Sequence, residues 1–266
     1  MKILFKGFSV VLIFFSLWFS LAKIDFRTLF KINESKTATE KTIGVLLWDE
    51  LSRNEDFVYN DTIVKTLDKL ILPICEKNDI IRDSLKIHII QKDEVNAFAL
   101  PNNHLVVYTG LILECKNQAA LQGVIGHEIA HIQKNHVMKK LSKEIGLTVL
   151  LSATTGGKGG HILSEITKVL SSTAYDRTLE KEADLTSIDY LMNANINPEK
   201  LADFMFELAQ QGQSVAQLSW IATHPESEDR ANYILGYLKG KKYKNEDTIS
   251  NKDWEIFKHT IRENNN

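Results

Sequence analysis

Neither sign of charge dominates this chain: 32 lysines and arginines stand against 34 aspartates and glutamates among 266 residues. With no basic excess and no basic stripe interleaved with aromatics, the electrostatic footprint of a nucleic-acid-binding protein is missing. Cysteine is scarce, with only Cys75 and Cys115. In an oxidising compartment the two could pair, or they could remain separate buried thiols, since spacing alone does not bring two Cα atoms within disulfide reach. There is no internal repeat and no long low-complexity tract, and no apolar stretch long enough to span a bilayer follows residue 22. The length accommodates one substantial domain with tails, or two small ones.

The apolar residues that are present begin at the N-terminus. Lys2 and Lys6 precede an uncharged stretch from Gly7 to Ala22, which closes on Ser20-Leu21-Ala22, a small-x-small site of the kind signal peptidases recognise. Residues 1–22 therefore read as a cleaved secretory signal in preference to a retained anchor, and the polar residues 23–41 as a tether. Trp48 to Lys77 carries Ile63, Leu67, Leu70 and Ile74 at helical spacing, and Leu85 to Ile90 alternates as a strand does. Two strand-like runs, Asn96 to Ala99 and Leu105 to Tyr108, flank Pro101-Asn102-Asn103 and predict a hairpin. A helix with Asn117 as its N-cap is expected to run to about Lys143. Further helices are expected over Thr178 to Asn193 and Pro198 to Gln211. The glycines of Gly156 to Gly160 suggest a hairpin that either covers a cleft or is plain surface. Residues 241–266 read as a charged linker and a short terminal helix around Trp254 to Ile261.

The chemistry concentrates in Gly126-His127-Glu128-Ile129-Ala130-His131. Residues four apart on a helix stand one turn above each other, so His127 and His131 aim at one point and can hold Zn2+ with coordination positions to spare. Glu128 leans towards the place of a zinc-bound water and can take its proton as the water attacks a peptide carbonyl. A third histidine at the position of Val137, with glycine at the position of Lys134, would mark a metzincin. His136 is out of that register, on a basic stretch expected to be solvated. The third ligand is then sought among carboxylates, and Glu180-Lys181-Glu182-Ala183-Asp184 offers three. Helical phase places Glu182 with Thr186, Asp189 and Asn193 on a polar face. It places Glu180 and Asp184 with Ala183, Ser187 and Leu191 on a buried one, where a carboxylate needs a partner. Glu180 as zinc ligand and Asp184 as acceptor from a ligand histidine satisfy both. His224, before Pro225 and followed by Arg230, either steadies an oxyanion or caps the zinc in a resting state. His88, His104, His161 and His259 have no partner pattern and read as structural or surface residues.

Between Val95 and Arg230 these residues resemble the zinc endopeptidase family that includes the CAAX prenyl endopeptidases, the heat-shock protease HtpX and the outer-membrane-associated proteases BepA and LoiP. The resemblance rests on Asn96 to Pro101, Thr109-Gly110-Leu111, the H-E-x-x-H helix, Glu180 to Asp184, and His224-Pro225 with Arg230. It implies Glu180 as third ligand, His224 beside the metal, Asp184 and Arg230 behind the ligands, and Asn96, Ala97, Phe98 and Ala99 as a strand that pairs with extended substrate. HtpX and the prenyl endopeptidases carry several membrane spans, and their lack here points to the exported BepA and LoiP branch. The expectations are an α+β, mostly helical zincin-like domain over residues 42–240, with a small sheet and an edge hairpin, and one Zn2+ per chain. Its function would be endoproteolysis of unfolded or misassembled envelope proteins, in the periplasm or at a membrane. Its partners would be those substrates and a component at the membrane surface or in outer-membrane assembly, with no nucleic acid.

Overall fold

The computed structural model describes residues 32–153, 159–172, 174–211 and 219–264. The expected signal segment and residues Thr154 to Lys158 of the glycine-rich turn lie outside them. The described chain contains helices α1 (Ile32–Asn54) and α2 (Asp61–Glu76), strands β1 (Lys86–Ile90), β2 (Ala97–Leu100) and β3 (His104–Tyr108), and the short α3 (Thr109–Glu114). There follow α4 (Gln118–Gln133), α5 (His136–Glu144), α6 (Leu147–Ala153), α7 (Gly159–Ser172), α8 (Arg177–Asn193), α9 (Glu199–Gln211), α10 (Ser219–Thr223), α11 (Ser227–Leu238) and α12 (Asn251–Asn264). This is the α+β, mostly helical architecture expected. None of the described helices is long and apolar enough to cross a membrane.

The sheet has the order β1-β3-β2, with β1 parallel and β2 antiparallel to β3. Asn102 and Asn103 both take left-handed φ values, 66° and 62°, which asparagine tolerates and a tight hairpin turn requires. β3 is buried along its whole length. Its alternate residues feed two cores: Leu105 and Val107 join the larger, Val106 and Tyr108 the smaller one under α1. β2 pairs on one side only, leaving it as the edge.

α4 runs through the larger core, with Gln118 and every residue from Ala120 to His131 buried. Such a helix needs close neighbours. A Cβ on Gly126 would meet Ser187 Oγ at 2.8 Å, so a larger residue there would displace the hydroxyl that donates to the Gly123 carbonyl at 3.0 Å. This contact sets the two helices that carry the candidate site side by side.

Three local expectations change. The helix expected up to Lys143 stops at Gln133, because Asn135 turns left-handed (φ 55°) and α5 starts afresh. Helical pattern around Trp48 to Lys77 belongs to two helices separated by a segment in which Phe57 bridges to Ile90, and α1 begins inside the stretch read as a tether. The region read as a linker is tied down: Gln118 Oε1 accepts from the amides of Thr248 and Ile249, both at 2.9 Å. Trp254, Phe257 and Ile261 of α12 then bury in the larger core. Cys75 and Cys115 are free and buried.

Of the histidines read as structural or surface residues, His88 and His104 are structural. Their rings share a hydrogen bond of 3.0 Å, and Trp48 of α1 stacks on His88 with centroids 3.7 Å apart. Burial and the Lys86 ammonium hold His88 down to about 4 and His104 to about 3, against 6.5 in the unfolded chain. Stability from this pair is fully present above the unfolded value and is lost as pH falls through it towards the folded values, because the unfolded chain then binds more protons. Urea midpoints measured at neutral pH and at about pH 5 should therefore differ less in a His88→Gln, His104→Gln variant than in the wild type.

Candidate metal centre

Three elements converge on one point: α4 brings His127 and His131, α8 brings Glu180, and the turn after α10 brings His224. One donor atom from each of the four lies within 4.8 Å of all the others, and all four residues are buried. His131 Nε2 is 2.9 Å from His127 Nε2 and 3.3 Å from Glu180 Oε1. His224 Nδ1 lies 3.0 Å from Glu180 Oε1 and 3.3 Å from His127 Nε2.

The donor set suits a cation. Asp184 Oδ1 is 2.9 Å from His127 Nδ1. This carboxylate contact misses hydrogen-bond geometry, yet it favours the ring proton on that nitrogen and leaves the Nε2 lone pair facing His131 and the Glu180 carboxylate. Lone pairs and a carboxylate converging away from water repel unless positive charge sits among them. Two imidazoles and a carboxylate with a further position to fill are an ordinary zinc donor set.

Behind the donors the charges are tied down. Arg230 grips Asp184 with two hydrogen bonds, from Nε at 2.8 Å and Nη2 at 2.7 Å. Its Nη1 reaches Glu180 Oε2 at 2.8 Å and the His224 carbonyl at 3.1 Å. Tyr233 donates to Asp184 as well. Burial favours the neutral form of Glu180, yet His224, His131 and Arg230 together hold its carboxyl well below the usual range. Burial also raises the Glu128 carboxyl, to about 7. Its Oε1 accepts from Trp220 Nε1 at 3.2 Å and lies 3.4 Å from His224 Nε2.

His136, expected in solvent, is fully buried. The left-handed Asn135 turns α5 back against α4, and His136 Nδ1 comes 3.1 Å from His131 Nδ1. Glu182, assigned to the polar face, is only partly exposed and lies 3.2 Å from His136 Nε2. Tyr175 and Trp220 had no sequence signal. The Tyr175 ring packs 4.2 Å from His131, Trp220 stacks on His224 at 4.9 Å, and the Arg230 guanidinium lies 5.2 Å from the centre of the Trp220 indole ring.

A cleft of about 480 Å3 opens from the site along β2, walled by Leu47 and Leu51 of α1, Leu170 of α7, and Tyr175 and His224 at its inner end. Asn96, Phe98 and Ala99 line it. Ala97 is fully buried in the larger core, and of the four expected substrate-strand residues it alone does not line the cleft.

A mostly helical domain with an edge hairpin, a buried H-E-x-x-H helix and a glutamate donor from a second helix has the architecture of a zinc metallopeptidase. The sequence profile described as Peptidase family M48 matches residues 64–237, and the chain belongs to that family of zinc metallopeptidases. It is 30% identical over 163 residues to the metalloprotease LoiP of Escherichia coli, covering 59% of this chain and 64% of LoiP. It is 29% identical over 163 residues to the mitochondrial metalloendopeptidase OMA1 of Bos taurus, covering 56% of this chain and 31% of that protein. With the beta-barrel assembly-enhancing protease of Yersinia pestis it shares 21% identity over 207 residues, 72% of this chain and 42% of the relative. The chain thus spans between about a third and two thirds of the length of these relatives.

Metal binding should be visible as stability. At free zinc about a hundredfold above its Kd, the native state gains about 2.7 kcal/mol, so a chelator should lower the melting temperature of the wild type. Glu180→Ala should abolish most of that response. Asp184→Asn should weaken zinc by about 10–100-fold, read by competition with a chromophoric chelator.

Proposed function

We propose that the chain is a zinc-dependent endopeptidase that cleaves extended segments of unfolded or misassembled envelope proteins. It would act after export, in the periplasm or at a membrane surface. The observation that carries this reading is the buried donor set, one member of which, His224, lines an apolar cleft, with a carboxylate, Glu128, 3.4 Å from that histidine. Folded proteins do not present extended backbone to such a cleft; unfolded or misassembled ones do. The export reading rests on Lys2, Lys6 and the Gly7 to Ala22 stretch. The names of the relatives, a beta-barrel assembly-enhancing protease among them, support an envelope context and a partner in outer-membrane assembly.

Zn2+ held by His127, His131 and Glu180 supplies Lewis acidity towards the scissile carbonyl. The chain's own residues do the rest. β2 offers its free edge to substrate backbone, as strand addition requires. Asn96 and Ser219 line the cleft, and their buried side-chain oxygens have no hydrogen-bond partner among the described residues. Glu128 takes the proton of the attacking water and returns it to the leaving amine. The Trp220 indole N–H holds that carboxylate in place. His224, within 3.0 Å of Glu180 and 3.3 Å of His127, fills the fourth corner of the donor set and acts as a resting block that swings aside for substrate.

Purified protein incubated with an unfolded protein tests both assignments. Glu128→Gln should keep its zinc by elemental analysis and lose about two to four orders of magnitude in turnover; full activity in the zinc-replete variant would refute the base. His224→Ala should raise the initial rate. A fall of about a hundredfold would instead make His224 an oxyanion donor, and an unchanged rate would remove it from the site.

A further inference from the structure

The two histidine donors are backed in different ways. His127 meets a buried carboxylate directly, Asp184 Oδ1 at 2.9 Å. His131 meets another imidazole, with His136 Nδ1 3.1 Å from its own Nδ1. Beyond that ring His136 Nε2 lies 3.2 Å from Glu182 Oε2, and Glu182 is flanked by Lys134 at 3.4 Å and Lys139 at 3.9 Å. His131 and His136 are fully buried, whereas the Glu182 side chain keeps 40% of its surface in solvent.

Proton counting gives this row one consistent arrangement. His131 Nε2 is the atom turned towards His127 and Glu180, so it keeps its lone pair and the ring proton sits on Nδ1. His136 Nδ1 is then the acceptor, because two lone pairs at 3.1 Å would repel and a neutral imidazole has one N–H. The His136 proton is left on Nε2, pointing at the Glu182 carboxylate. We propose that His136 and Glu182 are positioning residues for the metal: the chain Glu182, His136, His131 fixes the ring orientation and tautomer of the donor His131 from the protein surface. His127 receives the same service from Asp184 inside the core. The proposal rests on His131 being a ligand. It gives a half-exposed glutamate influence over a buried metal, which its place on the polar face of α8 conceals.

Zinc dissociation constants from competition with a chromophoric chelator, with melting temperatures of the metal-free proteins as the folding control, decide the matter. His136→Phe should weaken zinc by about 10–100-fold. Glu182→Ala should weaken it by several-fold, and Glu182→Gln, which still accepts from His136 Nε2, should restore affinity close to wild type. The double variant His136→Phe, Glu182→Ala should bind zinc no more weakly than His136→Phe alone, since one chain cannot be broken twice. A residue with a merely structural role would lower the melting temperature and leave zinc affinity alone. Wild-type affinity in folded His136→Phe and Glu182→Ala would overturn the proposal, as would strictly additive losses. Should the phenylalanine variant not fold, Glu182→Ala and Glu182→Gln carry the test. A His131→Ala control that kept full zinc affinity would overturn the ligand reading itself, and is distinguishable because the other variants leave His131 in place.

Discussion

Burying charge without a partner is prohibitive, and the interior of this protein is organised around that constraint. Glu128, Glu180, Asp184 and Arg230 are each 3% exposed or less, among His127, His131 and His224 at 1% or less. Arg230 answers for one of the three carboxylates, and Lys140, also buried, stands over the Tyr175 ring nearby. With Glu180 and Asp184 ionised and the Glu128 carboxyl raised to about 7, the two buried cations leave no positive charge to spare. A divalent metal among His127, His131, Glu180 and His224 would satisfy the lone pairs and the carboxylate that converge there.

The rest of the fold serves to hold this arrangement. Gly126 leaves room for the Ser187 hydroxyl that ties α8 to α4, the two helices from which Glu180 faces His127 and His131. Arg230, from α11, reaches Asp184, Glu180 and the His224 carbonyl at once, so one side chain ties three parts of the site together. Trp220 performs a comparable task at the cleft. Its amide donates to the Val95 carbonyl at the start of the edge-strand segment and its indole donates to Glu128, linking the place where substrate would lie to the residue proposed to act on it.

Legibility followed periodicity. The α4 donors could be read because a four-residue spacing on a helix has one geometric meaning, and Glu180 and Asp184 could be separated from Glu182 by helical phase alone. The hairpin was written in Pro101-Asn102-Asn103. His136 was lost at Asn135: a single left-handed residue ended the helix and let the basic stretch beyond it, expected in solvent, bury His136, Val137 and Leu141. Tyr175, Trp220 and Ser219 lie on irregular or very short segments, where no repeat betrays a facing direction. The docking of residues 241–264 depends on contacts such as Gln118 with Thr248 and Ile249, which are far apart in the chain and leave no local mark. His224 was recognisable through family resemblance; one histidine before a proline has no geometric meaning by itself.

The central claim, that this buried cluster is a zinc site with nitrogen and oxygen donors, is tested most directly by X-ray absorption at the zinc edge of the metal-loaded protein. The account predicts a shell of N and O donors near ~2.0–2.1 Å, with outer scattering from at least two imidazoles that diminishes in His131→Ala. A sulfur contribution near ~2.3 Å, implicating Cys75 or Cys115, or a spectrum without imidazole scattering, would contradict it.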